Sequence, residues 1–502
     1  MRTFNAKTRG SLFRTVLFST ALSGALGWAG TAGAQPAAEP QPAAGKALPN
    51  KSDAQQLEQR LKALMGKPGG LTARQASARA VATSNELKAS EADVKSAAAD
   101  KDQAEVGYLP RVTLTARYTR LSEIDTQSLG TLVATTQPGP VAAGQPLIGV
   151  DLSFPQILDQ YLLQANVTVP LTDYFLRTNH ANRAAGHNLQ AAKYRQQVTK
   201  RSAALQAQLA YYGWAQSTLA EVVAEQTLEQ AQAHYKVAEA ARKADTLTRA
   251  ELMRFDAQVA NAELLLERAR SGKEINADAL RTLLHDPEDE AYSIGEELLT
   301  PLPPLKRSKT SELQRRAQRS RPEFKALSES ARAISSQRKA VKASTLPRLD
   351  AFGNAYYANP HQRVFPQQDK WTASWDAGLQ LTYVINDLPT ANASARALDA
   401  KQAGVHAQEA SLRDMLRREL SQAQRSAIEA DVALKVAARG LAASEEAYRA
   451  TLLQFRAERA KSVDLIDANT ELLRARLELI TAHINQRVTR TKLKYALGEA
   501  LN

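Results

Sequence analysis

The chain has 502 residues, a formal net charge of +13 and only 6% aromatic residues. This composition favours long helices over mixed compact domains. With no cysteine in the sequence, disulfides, thiolate metal sites and cysteine nucleophiles are all excluded.

The first segment has the features of an export signal. Arg2, Lys7, Arg9 and Arg14 precede an apolar run from Val16 to Trp28, and Ala32-Gly33-Ala34 forms a small-x-small cleavage site before Gln35. The run is too short and too rich in Gly and Ala to favour a membrane anchor. Without cysteine there is no acyl attachment, so residues 1–34 are expected to be a cleaved signal peptide of a non-lipidated protein. The remaining positive excess is spread along helical stretches and forms no aromatic-laced basic patch, so nucleic acid is not a supported partner. Residues 35–60 open Pro/Ala-rich ("QPAAEPQPAAGKALPNK") and are expected to be disordered.

Residues 61–287 and 311–502, joined by a linker over 288–310, read as two copies of one plan. "YLPRVTLTARY" (108–118) corresponds to "TLPRLDAFGNAY" (345–356), each after a helical segment of roughly 35 residues, such as 71–106. A second strand-like run follows each, "LLQANVTVPL" (162–171) and "WDAGLQLTYVI" (375–385). Then come two proline-free tracts, 171–286 and 390–502. A straight helix over the first would span about 170 Å at ~1.5 Å per residue. Each tract is therefore expected to fold back once, at "RKADTLTRA" (242–250) and "FRAERAKS" (455–462). The outgoing helices then have about 65 residues, on the order of 100 Å, and the return helices about half that. Leu252, Phe255, Val259, Ala262, Leu266 and Ala269 form a 3-4-3-4-3 seam, and Leu465, Ala468, Leu472, Ala475, Leu479 and Ala482 repeat it 213 positions later. Two such seams in register indicate an internal duplication.

The strand runs alternate at period two. Val112, Leu114, Ala116 and Tyr118 oppose Thr113, Thr115, Arg117 and Thr119. Leu163, Ala165, Val167 and Val169 oppose Gln164, Asn166 and Thr168. Trp375, Ala377, Leu379, Leu381 and Tyr383 oppose Asp376, Gln380 and Thr382. The run after Leu346-Pro347-Arg348 alternates poorly. A half-buried soluble sheet gives the same pattern, but no amphipathic helix is left over to cover the apolar face. Tyr161, Tyr356, Tyr357, Trp371 and Trp375 lie near strand ends, where an interfacial aromatic belt is expected. Open edges are not tolerated in lipid, and closed barrels start at about eight strands. Several chains must therefore contribute to one barrel. The Gly/Pro/Thr-rich connection from Leu121 to Tyr161 is expected to be an external surface loop.

The duplicated helix–LPR-strand–loop–strand–long-helix plan and "SVDLIDA" (462–468) resemble the TolC-type family of outer-membrane efflux and channel proteins, over about residues 60 to 500. The resemblance implies an α+β membrane protein. Long antiparallel helices would form an α-barrel in the periplasm, and four strands per chain would join a shared trimeric transmembrane β-barrel in outer-membrane lipid. It also implies a homotrimer docking with a periplasmic adaptor and an inner-membrane pump, as the passive duct of an efflux or type I secretion system. Asp464 and Asp467, one helical turn apart, would ring the constriction at the periplasmic end. Carboxylates ~7 Å apart at an effective dielectric near 40 repel by only about 1 kcal/mol, so such rings would select cations rather than seal a pore. Glu251, the first-copy counterpart of Asp464, would tie the closed end through an arginine. That arginine's aligned position is Ala460, flanked by Arg459 and Lys461, so the link is either shifted or lost. Asp245 and Glu458 stand at the tips where the family usually has glycine. No cofactor or metal is implied. GxSxG, HExxH and P-loop patterns are absent, and the seven histidines include no i,i+3 or i,i+4 pair, so no enzyme is expected. The alternative reading is a periplasmic coiled-coil scaffold or adaptor whose strands form a small soluble domain.

Overall fold

The computed structural model describes residues 52–124, 130–135, 138–140, 143–151 and 156–501. The expected signal peptide and residues 35–51 lie outside them. The segment expected to be disordered as far as residue 60 is helical from residue 52, as α1 (Ser52–Leu64). Leu57, Leu61 and Met65 recur at i,i+4, and all three are buried in the main apolar cluster, which orders a helix that the Pro/Ala-rich stretch before it obscured.

α2 (Ala73–Thr83) starts at a capping box in which Thr72 and Gln75 satisfy each other's backbone N–H groups. α3 (Asn85–Val106) ends before Pro110, and β1 (Arg111–Arg120) follows. Two short strands, β2 (Thr131–Thr135) and β3 (Leu147–Asp151), pair antiparallel within the long connection, a hairpin the sequence did not announce. β4 (Asp159–Pro170) runs through a turn, α4 (Leu171–Asp173), and a π-helical turn (Tyr174–Thr178) into α5 (Asn179–Lys243) and α6 (Arg249–Leu284). The same order then recurs as α7 (Thr310–Ser320), α8 (Pro322–Ala343), β5 (Arg348–Asn359), β6 (Thr372–Thr382), α9 (Asp387–Arg456) and α10 (Ser462–Ala496). α5 and α9 have 65 and 70 residues, and their return helices 36 and 35. The chain reverses within both expected segments.

All twelve seam residues are buried or partly buried. Phe255, Leu465 and Leu472 sit in a cluster that joins the turn ends of both hairpins, where the Phe255 and Phe455 rings meet edge-on at 5.7 Å. The stretch expected to be a plain linker is tied down. Ile294 bridges Leu71, Leu298 is fully buried, and a Cβ on Gly70 would stand 2.7 Å from the Gly295 nitrogen, so the close backbone approach requires glycine there. Further along, the Leu305 N–H donates to Asp431 at 2.7 Å, and Arg490 pairs with the same carboxylate at 2.7 Å. Burial opposes ionisation of Asp431, but the Leu305 N–H, Gln486 and Arg490 outweigh it and hold the carboxyl below its ordinary range.

The four longer strands form one antiparallel sheet in the order β1-β4-β5-β6. Among the described residues, one edge each of β1 and β6 has no partner strand. The register places Leu114, Ala165, Ala355 and Trp375 in one row, and Thr115, Gln164, Tyr356 and Ser374 in the next, on the other face. The poor alternation of β5 is explained by Phe352, a polar-face position whose ring lies over Gly378 directly across the strand pair.

Candidate functional site

Two regions stand apart from the packed body of the chain, the faces of the sheet and the tips of the helical hairpins. The apolar side of the sheet is bare. On one face Leu114 is 79% exposed, Trp375 75% and Leu379 68%, which leaves a large apolar surface of the kind a single soluble chain does not keep. Near the loop end of this face Tyr118, Tyr161, Tyr357 and Trp371 form a chain of rings, with centroids 5.2 Å (118–161), 5.9 Å (161–371) and 4.8 Å (357–371) apart. At the helix end Leu109, Phe175, Tyr383 and Ile385 are also exposed. The apolar surface is thus bordered by aromatic residues at both ends. Tyr356, expected in the same belt, has the opposite parity and faces the polar side, under Arg363.

The polar face carries a hydrogen-bonded row across three strands. Asn166 Nδ2 donates to Asn354 Oδ1 at 2.6 Å, and Asn354 Nδ2 to Asp376 Oδ1 at 2.8 Å. A sheet apolar and bare on one side, polar and cross-linked on the other, has the face polarity of a lipid-spanning barrel wall. Among the described residues no helix is long and apolar enough to cross a membrane.

The hairpin tips are near-copies. α5 closes with Thr246 N–H donating to Ala241 O at 3.0 Å, and α9 closes with Arg459 N–H donating to Gln454 O at 2.8 Å, the same pair of positions 213 residues on. Asp245 and Glu458 adopt left-handed backbones, φ 54° and 57°. They therefore keep the conformation for which glycine is usual, and the missing glycines do not change the turn. Arg242 pairs with Asp245 at 2.9 Å, which further fixes the first tip.

The five predicted residues, Glu251, Arg459, Lys461, Asp464 and Asp467, gather at these tips. Glu251 and Asp464 are the third residues of α6 and α10, and both carboxylates cap their own helices. Glu251 Oε2 accepts from Thr248 N–H at 3.1 Å and from its hydroxyl at 2.7 Å, while Asp464 Oδ2 accepts from Lys461 N–H at 3.0 Å. The Thr248 hydroxyl and N–H lower the Glu251 pKa, and the buried Ser462 hydroxyl of the neighbouring hairpin and Arg254 add to this. Within the chain, no ion pair among the described residues joins Glu251 to Arg459 or Lys461. Asp467 lies one turn beyond Asp464, exposed, as do Arg459 and Lys461. The capping role was missed although "TRAE" (248–251) carries the Thr-x-x-Glu signature for it. Among the described residues no group of three or more His, Asp or Glu side chains is placed to hold a metal.

The fold is thus an antiparallel sheet with one exposed apolar face, continuous with long antiparallel helical hairpins. Residues 76–284 match the profile of the outer membrane efflux protein family. Among solved structures the chain resembles the outer-membrane channel OprN (19% identity, TM-score 0.67, 86% of this chain and 90% of that one). It also resembles the MtrE outer membrane channel of Neisseria gonorrhoeae (18%, 0.68, 86% and 89%) and the outer membrane protein VceC of Vibrio cholerae (15%, 0.67, 86% and 97%). A search of the curated proteins found no match. The family match and these likenesses bear out the resemblance to the TolC-type channels.

Proposed function

We propose that the chain is the outer-membrane exit duct of an efflux or type I secretion system, assembled as a ring of copies. The observation that carries this is an unequal covering of equivalent positions. Leu477 and Val488 of α10 pack against the main cluster, whereas Leu264 and Ile275, their counterparts 213 residues earlier in α6, are 49% and 65% exposed. Leu219 and Val223 of α5 are fully buried in that cluster, while their counterparts Val432 and Val436 in α9 are 56% and 52% exposed. α8 packs on both α5 and α9, whereas α3 packs on α5. β4 pairs with β5 across the two halves, and among the described residues β6 and β1 are left with open edges.

One arrangement answers all of these: the second half of one copy set against the first half of the next, repeating the contact already made inside the chain. Such a contact is heterologous, and closing it gives a ring. The two halves then act as repeats of one duplicated unit. With four strands per copy a barrel needs at least two copies, and the family resemblance sets three. The polar face lines the lumen and the apolar face meets lipid. The exposed apolar surface and the export signal expected from the sequence support an outer-membrane location in a Gram-negative cell, with the helical hairpins in the periplasm. A periplasmic adaptor and an inner-membrane pump are the partners expected at the tips. The duct carries out no reaction of its own.

Detergent-purified protein should have the mass of a trimer and should form channels in planar bilayers. Release from membranes by carbonate as a detergent-free monomer would instead establish the scaffold reading. For the tips, Asp464→Asn with Asp467→Asn should leave assembly intact while lowering cation preference and weakening block by divalent cations. Unchanged block would reduce these two aspartates to a cap and a surface charge.

A further inference from the structure

The connection between β5 and β6 does not extend away from the sheet. Residues 360–365 fold back across its polar face, and His361 is only 5% exposed although it belongs to a loop. Its Nε2 lies 2.7 Å from Ser374 Oγ, and its Nδ1 accepts the Arg363 N–H at 3.1 Å. Arg363 reaches further. Its Nη2 donates to Asp376 Oδ2 at 2.6 Å and its Nη1 to Trp375 O at 3.1 Å, with the guanidinium 5.6 Å from the centre of the Tyr356 ring. Ser374, Asp376 and Tyr356 all belong to the polar face. Asp376 is the fifth residue of β6, so at ~3.3 Å per residue its Cα lies about 13 Å along the strand from its first residue. Beneath the loop is a recess of about 330 Å³ whose lining includes Arg117, Gln160 and Gln164. Asp376 is already shared between Arg363 and Asn354, and among the described residues Arg117 has no ion-pair partner.

We propose that this segment is a strap, pinned by the Arg363–Asp376 ion pair, that narrows the outer end of the duct and makes that end cationic through Arg117. The inference rests on the reading that the polar face lines a closed barrel. Each copy then contributes one strap and one uncompensated guanidinium, that of Arg117, to the outer end of the lumen. The outer end accordingly sets a size limit and favours anionic groups over cations, a separate filter from the acidic tips.

The test uses the full-length protein in planar bilayers, comparing wild type with His361→Ala/Arg363→Ala, Asp376→Asn and Arg117→Gln. Releasing the strap should raise single-channel conductance and shift the poly(ethylene glycol) exclusion limit on the outer side to larger chains. Arg117→Gln should leave that limit in place and move the reversal potential in a KCl gradient toward cation preference. If the double variant fails to assemble, Asp376→Asn, which removes only the charge, decides the size question. Channels with the wild-type conductance, exclusion limit and reversal potential throughout would overturn the strap. A wild-type protein that forms no channels would overturn the barrel reading instead.

Discussion

In the second half of the chain, α10 rests on both α9 and α5, and Ile466, Leu477 and Val488 are drawn into apolar clusters. In the first half, α6 packs mainly on α5, and Met253, Leu264 and Ile275, each 213 positions earlier, are exposed. The same difference separates Leu219 and Val223 in α5 from Val432 and Val436 in α9. Residues of one kind, in one register, are buried in one half and bare in the other. On the reading proposed above, the contact inside the chain serves as the pattern for a contact between chains, and the exposed stripe is the interface it would form.

The largest expected effect breaks that pattern. Leu264→Lys with Ile275→Lys should abolish assembly, because each buried aliphatic side chain contributes ~1.5–3 kcal/mol and the lysines would have to be desolvated. Mass measurement in detergent should find a monomer whose helix content by circular dichroism is unchanged. The matched change in the second half, Leu477→Lys with Val488→Lys, should instead unfold the chain itself. An assembled Leu264→Lys/Ile275→Lys variant would end the comparison.

A somewhat smaller effect comes from the buried pair Asp431–Arg490, which exists in the second half only, because Thr218 holds the equivalent place in the first. Asp431→Ala should cost about 3–5 kcal/mol by leaving a buried arginine unpaired. Thr218→Val, which removes a single hydrogen bond to Trp214 O, should cost about 1 kcal/mol. The Asp431 pKa is lowered by folding, so its contribution is present in full above the unfolded carboxyl value of about 3.9. It is lost as the pH falls through the lower folded value. Thermal unfolding followed from pH 7 into acid should show the wild-type advantage over Asp431→Ala in full at pH 7 and shrinking as the pH falls below the unfolded carboxyl value.

The smallest effect sharpens the comparison at the tips. The first hairpin has a full capping box, whereas in the second, Lys461 has no side-chain acceptor for the N-cap position. Thr248→Ala should loosen the start of α6 by ~1 kcal/mol, and Lys461→Thr should firm the start of α10 by a similar amount. Amide exchange at residues 249–252 and 462–465 should change in opposite directions. The Glu251 contribution should disappear in acid, since its pKa too is lowered and the capping carboxylate is lost on protonation.

Much of this architecture depends on local chemistry and was legible in the sequence. Helix length follows from where proline is missing, the reversals from where the seam restarts, and strand faces from period-two alternation. The gathering of Glu251, Asp464 and Asp467 at one end follows from the same lengths. What each carboxylate does there was not legible. The use of Glu251 as a cap depends on the extended backbone at Thr248, which the spacing of apolar residues does not encode. The strap was equally hidden, because His361 and Arg363 find Ser374 and Asp376 only once β6 lies beside β5, and no periodicity marks a loop. Above all, Leu264 and Leu477 are the same residue in the same register. Composition and spacing determine that each offers an apolar face. Whether that face is covered depends on which distant helix is packed against it, and only the tertiary structure decides that.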